Sequence, residues 1–177
     1  MEIVIKELDA INVQQVNQCD GTFLVDSILG LHVADGKISY TIATIPSFYK
    51  RYPNDDIDCT AYMGHPDKIV CFAYADGQLA GQIILHKHWN NYAYVADIAV
   101  DVKFRKLGIG RTLMSQAVQW AKSKNLPGIM LETQNNNVGA CRFYERFGFQ
   151  LGGFDRLLYK GLNGDTEEIA LYWYLVF

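Results

Sequence analysis

The 177-residue sequence predicts a mixed α/β fold, in which antiparallel hairpins come first and a β-α-β-α-β run follows. Two pairs, Asp35-Gly36 and Asp76-Gly77, each separate segments rich in β-forming residues, which is the pattern of a tight hairpin. Apolar residues then recur every four positions from Ile109 to Ala121, which is typical of a helix. Half of the residues are hydrophobic and a fifth are charged, which suits a single domain over residues 1–177.

Turn residues and periodicity assign the remaining elements in chain order. The first seven residues alternate as a strand does. Residues 47–58 follow Pro46 and contain Pro53 and a polar cluster, which is typical of a loop or short helix. A helix over about residues 108–124 ends before Pro127, and a second begins at an Asn137 N-cap, runs to about residue 146 and ends at Gly148. The predicted strands are residues 23–33, 38–45, 69–75, 79–86, 92–100, 129–134, 149–159 and 168–177.

Composition excludes several classes of protein. A net charge of −3 is too small to indicate nucleic acid as a partner, and no run approaches the roughly 20 apolar residues of a membrane helix. The N-terminus carries early acids and lacks the features of a secretory signal. The cysteines, Cys19, Cys59, Cys71 and Cys141, show neither paired spacing nor a grouping with histidine. We therefore expect a cytoplasmic protein with no disulfide, no metal site and no membrane or nucleic-acid partner.

The charges are unevenly distributed along the chain. Residues 1–80 carry 11 acids and 5 bases, a net charge of −6, whereas residues 81–177 carry 8 acids and 11 bases, a net charge of +3. An acidic half joined to a basic half suggests one cationic and one anionic ligand, although an unevenly charged surface without ligands gives the same count.

The turn that follows the strand at residues 92–100 is a candidate phosphate-binding site. Gly108 and Gly110 lie among basic residues directly before a helix, where backbone N–H groups meet the positive end of the helix dipole. Tight packing of the two glycines is the alternative. The GxxxxGK[ST] pattern of a P-loop is absent, and Leu113 stands where a dinucleotide-binding fingerprint has its third glycine.

Two motifs resemble the signatures of the GNAT acyl-CoA N-acyltransferases. The pattern Arg-x-x-Gly-x-Gly at residues 105–110 resembles their pyrophosphate loop. The run from Asn137 to Phe149 resembles their second signature, Asn-x-x-Ala-x-x-Phe-Tyr-x-x-x-Gly-Phe, at a matching spacing. The resemblance covers about residues 68–160 and implies the GNAT fold, a mixed, mostly antiparallel sheet of about six to eight strands with a splayed parallel pair, flanked by helices. It also implies acetyl-CoA as co-substrate.

The resemblance implies a role for individual residues. Backbone groups of the splayed strand would hold the pantetheine arm and polarise the thioester carbonyl, and Asn137 would bond the same arm. Tyr144 would protonate the departing thiolate, with a packed aromatic ring as the alternative. The expected acetyl-CoA-binding residues are Ile98, Ala99, Val100, Arg105, Lys106, Leu107, Gly108, Ile109, Gly110, Arg111, Thr112, Asn137 and Tyr144.

A closer resemblance is to the streptothricin acetyltransferases, which acetylate an amine of the antibiotic's β-lysine arm. The segments that carry it are Trp89-Asn90-Asn91, Leu131-Glu132-Thr133-Gln134, Asn136-Asn137-Val138, Gly152-Gly153 with Asp155, Tyr159-Lys160 and Tyr172-Trp173-Tyr174. This resemblance reaches the C-terminal residues and implies a role in antibiotic resistance.

The general base is left open between Asp97 and Glu132. A lysine-type ammonium has a pKa of about 10.4 in water, so it must lose a proton before it can attack. Asp97 directly precedes the pantetheine-binding residues, at a position where some antibiotic acetyltransferases use a carboxylate, and Glu132 lies on the adjacent strand. Many relatives have glutamate where this chain has Ala96. Asp97 is also expected to attract the cation while a water chain accepts the proton.

Acidic and aromatic residues are expected at the substrate end, because a polycation gains from carboxylates and from aromatic faces. A solvated loop and ordinary core aromatics are the alternative. The expected substrate-binding residues are Asp55, Asp56, Asp58, Trp89, Asp97, Glu132, Asp155 and Trp173.

The sequence therefore predicts a GNAT enzyme that transfers acetyl directly from acetyl-CoA to streptothricin, with a homodimer as one assembly to test. One alternative is a GNAT acetyltransferase for another amine: a polyamine, an aminoglycoside, a protein N-terminus or a lysine. The other is a non-catalytic acyl-CoA-binding regulatory module. Tyr144 and Asp97 favour an enzyme, because a regulatory module needs neither group.

Overall fold

The computed structural model describes residues 1–53 and 57–177, which form two compact units. The first unit consists of Met1–Thr22 and Arg51–Ile129, and the second of Phe23–Lys50 and Met130–Phe177. The described elements, in chain order, are β1 (Ile3–Glu7), β2 (Phe23–Ala34), β3 (Lys37–Lys50), β4 (Lys68–Ala75), β5 (Gln78–Lys87), β6 (Ala93–Val100), α1 (Ile109–Ser123), β7 (Gly128–Gln134), α2 (Val138–Phe147), β8 (Gln150–Asp155) and β9 (Ala170–Val176). The expectation of a single domain over residues 1–177 stays a prediction.

The first unit is built on antiparallel strands in the order β1-β4-β5-β6. Asp76 and Gly77, between β4 and β5, have φ of 46° and 81°, so this connection is a tight hairpin turn with two left-handed residues. Helix α1 packs on β4, β5 and β6 through an apolar face. Leu8, Val70, Phe72 and Ile84 form a further buried cluster.

The second unit combines a long hairpin with α2 and with strands in the order β7-β9-β8. Strands β2 and β3 pair antiparallel around Asp35 and Gly36, whose φ values are 51° and 72°. The register shifts between Val25 and Ser27, and Pro46 lies opposite this shift. A residue without an N–H group is tolerated there because no ladder hydrogen bond is lost.

A buried asparagine fixes the loop between β7 and α2. Asn135 is 5% exposed. Its backbone N–H donates to Ile169 O at 3.0 Å, and its backbone O accepts from Leu29 N–H at 2.9 Å. Its side-chain Nδ2 donates to Leu29 O at 3.3 Å, and its Oδ1 accepts from Ile169 N–H at 3.0 Å. The loop is therefore held between β2 and the segment before β9, which determines where α2 begins.

A charged cluster lies beside this loop. Lys50, at the end of β3, forms an ion pair with Glu168 and donates to Gln134 Oε1. Asn136 Nδ2 donates to the same Glu168 carboxylate at 2.8 Å. The Lys50 and Glu168 side chains are only 19% and 26% exposed, so loss of one partner would leave the other poorly solvated.

The predicted fold class is confirmed. Among the described residues, seven strands belong to the main sheet, within the predicted six to eight, and two helices accompany it. Both Asp-Gly hairpins, the Asn137 N-cap and the Gly148 end of α2 are also confirmed. The splay of two parallel strands stays a prediction.

Two predicted boundaries are wrong. Residues 47–50, expected in a loop, continue β3, because they pair with the start of β2 beyond the register shift. The strand expected over residues 149–159 ends at Asp155. Its Oδ1 accepts from the backbone N–H groups of Leu157 at 2.7 Å and Leu158 at 3.1 Å, which turns the chain into a 3₁₀ helix at Leu158–Gly161.

The cysteine thiols are free, and they differ in burial. Burial raises the pKa of Cys19, Cys71 and Cys141 to about 12 in each case, so these thiols are protonated at neutral pH. Cys59 is only half-buried. In the part of the chain that the structure describes, no helix has the length and apolar content needed to span a membrane.

Replacement of Gly152 by alanine should destabilise the second unit. A Cβ atom at Gly152 would lie 2.5 Å and 2.9 Å from two atoms of the Tyr174 ring, so the ring must move. We expect Gly152→Ala to lower the free energy of unfolding by about 1 kcal/mol or more, measured by urea denaturation.

The neighbouring Gly153 is the matched control. A Cβ atom there would meet the Tyr172 ring at 3.9 Å, which is an ordinary contact. Gly153→Ala should therefore change stability by no more than about 0.5 kcal/mol. Equal stabilities of the two variants would contradict the role given to Gly152.

Candidate active site

The turn between β6 and α1 leaves the start of α1 without a side-chain cap. Gly108 is the N-cap residue, with φ of 89°, and no acidic residue lies in the first helical turn. Lys106 is also left-handed, with φ of 64°. Arg105 Nε donates to Val100 O at 3.3 Å, which ties the turn to the end of β6. The backbone N–H groups at this end of the helix are therefore presented among basic residues, as an anionic ligand requires.

Strand β6 carries Asp97 beside an irregularity in its pairing with β5. Ile84 pairs with Asp97 and Leu85 pairs with Val95, so Ala96 is an extra residue on β6. The half-buried Asp97 carboxylate accepts from Gln82 Nε2 on β5 at 2.6 Å. The expected pantetheine-binding residues follow directly, with Ile98, Ala99 and Val100 paired to Ile83, Gln82 and Gly81.

Helix α2 places Tyr144 in an aromatic cluster of the second unit. Asn137 Oδ1 accepts from Ala140 N–H at 3.3 Å and caps the helix, and Gly148 ends it with φ of 115°. Tyr144 is 6% exposed. Its ring centroid lies 5.8 Å from that of Phe149 and 6.3 Å from that of Trp173.

The structure corrects the expectation for Trp173, which does not form an exposed aromatic wall. The side chain is 1% exposed and packs in the core against Tyr144. It lies on β9, where successive side chains alternate between the two faces of the sheet, and its side chain is on the buried face. Its contact instead supports the ring of Tyr144.

Glu132 has a perturbed carboxyl group on β7. Burial raises its pKa, and a hydrogen bond from the Tyr159 hydroxyl opposes that rise. Tyr172 lies close enough for its own pKa to be raised, first by burial and then by the charges of Asp155 and Glu132. The second unit therefore gathers two carboxyl groups with phenol rings.

The remaining acidic candidates have structural roles or lie outside the described residues. Asp58 Oδ1 accepts from Thr60 N–H at 3.0 Å and from Thr60 Oγ1 at 2.6 Å, so this exposed carboxylate caps the 3₁₀ helix Cys59–Tyr62. Asp155 caps the turn after β8, as described above. Asp55 and Asp56 are outside the described residues.

Trp89 lies at the turn between β5 and β6 and is 86% exposed. Its nearest ring partner among the described contacts is His88, at 5.8 Å between centroids. An exposed ring of this kind has its face available to a ligand.

The predicted residues fall into two groups, one in each unit. The first unit contains the basic turn, residues 98–100 and Asp97, and the second contains Asn137, Tyr144 and Glu132. Two partners of these residues are not evident from the sequence: Gln82, which bonds Asp97, and Tyr159, which bonds Glu132. Asn17, which bonds Gln82, is not evident either. The sequence gives one indication of this network: Gln82 is a polar residue inside the apolar run of β5.

Comparison with known proteins shows which family the chain resembles. The model of the acetyltransferase (GNAT) family matches residues 39–149. Streptothricin acetyltransferase A of Bacillus subtilis is 33% identical over 175 residues, which are 98% of this chain and 100% of that protein. Streptothricin acetyltransferase of Escherichia coli is 33% identical over 163 residues, 92% of this chain and 90% of that protein.

A crystal structure of a Bacillus anthracis protein in complex with acetyl coenzyme A is also similar. It is 47% identical in sequence, superposes with a TM-score of 0.94, and the match covers 99% of this chain and 100% of that one. The motifs, the fold and a family match over more than half of the residues lead to one conclusion: this chain belongs to the GNAT family of acetyltransferases.

Proposed function

We propose that this acetyltransferase acetylates an amine of streptothricin, on the β-lysine moiety, with acetyl-CoA as donor, and so confers antibiotic resistance. The observation that carries the proposal is near full-length similarity to streptothricin acetyltransferases of two bacteria, at 33% identity in both cases. A cationic substrate also fits the acidic residues 1–80, and an anionic co-substrate fits the basic residues 81–177.

The residues of the α1 turn fit acetyl-CoA. Its pyrophosphate needs N–H donors and positive charge, and the turn offers an uncapped helix start with Arg105, Lys106 and Arg111. When bound, acetyl-CoA supplies an activated acetyl thioester. Backbone groups of residues 98–100 would bond the pantetheine arm, and Asn137, which caps α2, would bond it as well.

Two acid–base roles complete the proposed mechanism. Glu132 accepts the proton of the substrate ammonium, because a carboxyl whose pKa is raised by burial is a stronger base than an exposed one. Asp97, oriented by Gln82, attracts the cationic amine and is the rival base. Tyr144 donates the proton that the leaving thiolate needs.

The decisive experiment is a CoA-release assay with acetyl-CoA and a panel of amines. We expect release with streptothricin at the highest kcat/KM, and mass mapping should place the acetyl group on the β-lysine moiety. Spermidine, an aminoglycoside and a peptide with a free N-terminus are the comparison substrates. A higher kcat/KM for one of these would replace streptothricin as the substrate, and no release with any amine would contradict the enzymatic function.

Tyr144→Phe should lower kcat and leave the KM values little changed. The substitution keeps the buried ring and its contacts but removes the proton donor, so the expected loss is on the order of 10²-fold when proton transfer limits the rate. Steady-state kinetics with both substrates provide the measurement.

The matched control for this prediction is Tyr40→Phe. Tyr40, on β3, donates to Glu145 Oε2 of α2 at 2.8 Å, so this variant also removes one phenol hydroxyl that lies against this helix. It should keep wild-type kcat. A Tyr144→Phe enzyme as active as Tyr40→Phe would leave Tyr144 with a packing role.

At neutral pH, Glu132→Gln should raise stability and lower activity. The folded pKa of Glu132 is raised above its ordinary value of 4.5, so the stability given by the neutral carboxyl is fully present below pH 4.5 and is lost as pH rises through the folded pKa. The variant has no carboxylate whose charge burial disfavours at neutral pH, and its amide oxygen still accepts from Tyr159. It should therefore be more stable than the wild type at neutral pH, and the difference should vanish in acid.

The same variant should lose kcat/KM for streptothricin by on the order of 10²-fold, because an amide cannot accept the proton. Urea denaturation across the acid-to-neutral range and kinetics at neutral pH give the two measurements. Retained activity would transfer the role of base to Asp97, and a stability difference that does not depend on pH would contradict the assigned cause.

A further inference from the structure

Gln82 is a polar side chain in the interior of the first unit. It lies on β5 within the run Ala80–Leu85, whose side chains are buried, and it is 1% exposed. A primary amide has two hydrogens to donate and an oxygen that accepts, and each must find a partner when it is buried.

The partners of Gln82 come from two different segments. Its Nε2 donates to Asp97 Oδ2 at 2.6 Å and to Asn17 Oδ1 at 2.9 Å. Its Oε1 accepts from the backbone N–H of Asn17 at 2.8 Å. Because a rotated amide would direct its oxygen at two oxygen acceptors, this pattern allows a single orientation of the Gln82 side chain.

The segment that supplies Asn17 is held at its other end as well. Asp20 N–H donates to Asp101 Oδ2 at 3.0 Å, and Asp20 O accepts from Val102 N–H at 3.1 Å. Asn17 itself is left-handed, with φ of 63°. The segment that bonds Gln82 is therefore anchored at both Asn17 and Asp20, and Gln82 connects it to the Asp97 carboxylate.

The surroundings of Asp97 include another titratable group. Cys19 lies between the two anchor points and is 5% exposed. Burial, and then the charges of Asp101 and Asp97, raise the pKa of its thiol to about 12, so it is neutral at the pH of the reaction. Gln82 is neutral too, so it orients the Asp97 carboxylate without adding a positive charge that would compete with a cationic amine.

We propose that Gln82 is a positioning residue, which together with Asn17 holds the Asp97 carboxylate in the orientation that the amine substrate requires. The inference rests on the proposed function, because it deepens the role given there to Asp97. A carboxylate that is free to rotate would meet the amine in several geometries, and small misplacements of a reacting or orienting group lower the rate strongly.

The test compares Gln82→Met with the wild type. Methionine has a similar length and no donor, so kcat/KM for the amine should fall roughly tenfold or more, while the Kd of acetyl-CoA, measured by calorimetry, should stay within about twofold. Gln78→Met is the matched control, since Gln78 is an exposed glutamine at the start of the same strand. It should behave as the wild type does.

A double-mutant cycle separates positioning from a general effect on the fold. In an Asp97→Asn background, Gln82→Met should cause little further loss of kcat/KM for the amine, because the group that it orients has already been changed. Equal losses in both backgrounds would overturn the inference and leave the role of Asp97 standing. Wild-type kcat/KM for the amine in Asp97→Asn would overturn the inference together with the role of Asp97.

Two further measurements keep the test independent of folding and of the substrate. Asn17→Gly removes the Oδ1 acceptor at a left-handed position that glycine adopts readily, and it should lower kcat/KM in the same direction as Gln82→Met. Hydrogen exchange of the Asn17 backbone amide should be faster in Gln82→Met. An unchanged exchange rate would overturn the inference. This measurement needs no substrate, so it decides the question even if no amine in the panel is acetylated, which is the result that contradicts the proposed function.

Discussion

Two buried amide side chains, those of Asn135 and Gln82, have their hydrogen bonds satisfied by segments distant in the chain, and these bonds hold two loops of the protein in place. Leaving one such group unpaired costs about 1–3 kcal/mol. Asn135 avoids this cost by bonding β2 and Ile169 at once, and Gln82 avoids it by bonding Asn17 and Asp97. In the first unit the buried amide bonds the candidate group Asp97 directly. In the second it holds the loop that precedes α2, the helix that carries Tyr144.

The two kinds of candidate group are stabilised differently. Asp97 is oriented by a neutral donor, so its charge is available to attract a cation. Glu132 is half-buried, and burial favours its neutral form against the hydrogen bond from Tyr159. A charge that attracts the amine and a carboxyl that is ready to take a proton are different requirements, and the two environments suit these two roles.

Local rules explain which parts could be predicted from the sequence. The Asp-Gly turns were predictable because both positions need left-handed backbone, and α2 was predictable from its Asn137 cap and Gly148 end. The partners of Gln82 were not predictable, because they lie 65 and 15 residues away in the chain. The burial of Trp173 follows from which face of β9 meets the core, and an aromatic-rich ending does not reveal that. The early end of β8 depends on a single capping carboxylate, Asp155.

Unequal burial of the cysteines leaves one thiol, that of Cys59, more accessible than the other three. Thiolates are the reacting form, and Cys19, Cys71 and Cys141 are both buried and protonated at neutral pH. Cys59 has a pKa raised by burial and then by the charge of Asp58, but it is the least buried of the four, so we expect a maleimide dye at mildly alkaline pH to react there first. The dye would then be attached one residue after Asp58, which lies among the acids expected to attract the antibiotic. Fluorescence could follow arrival of the amine without removing any native cysteine.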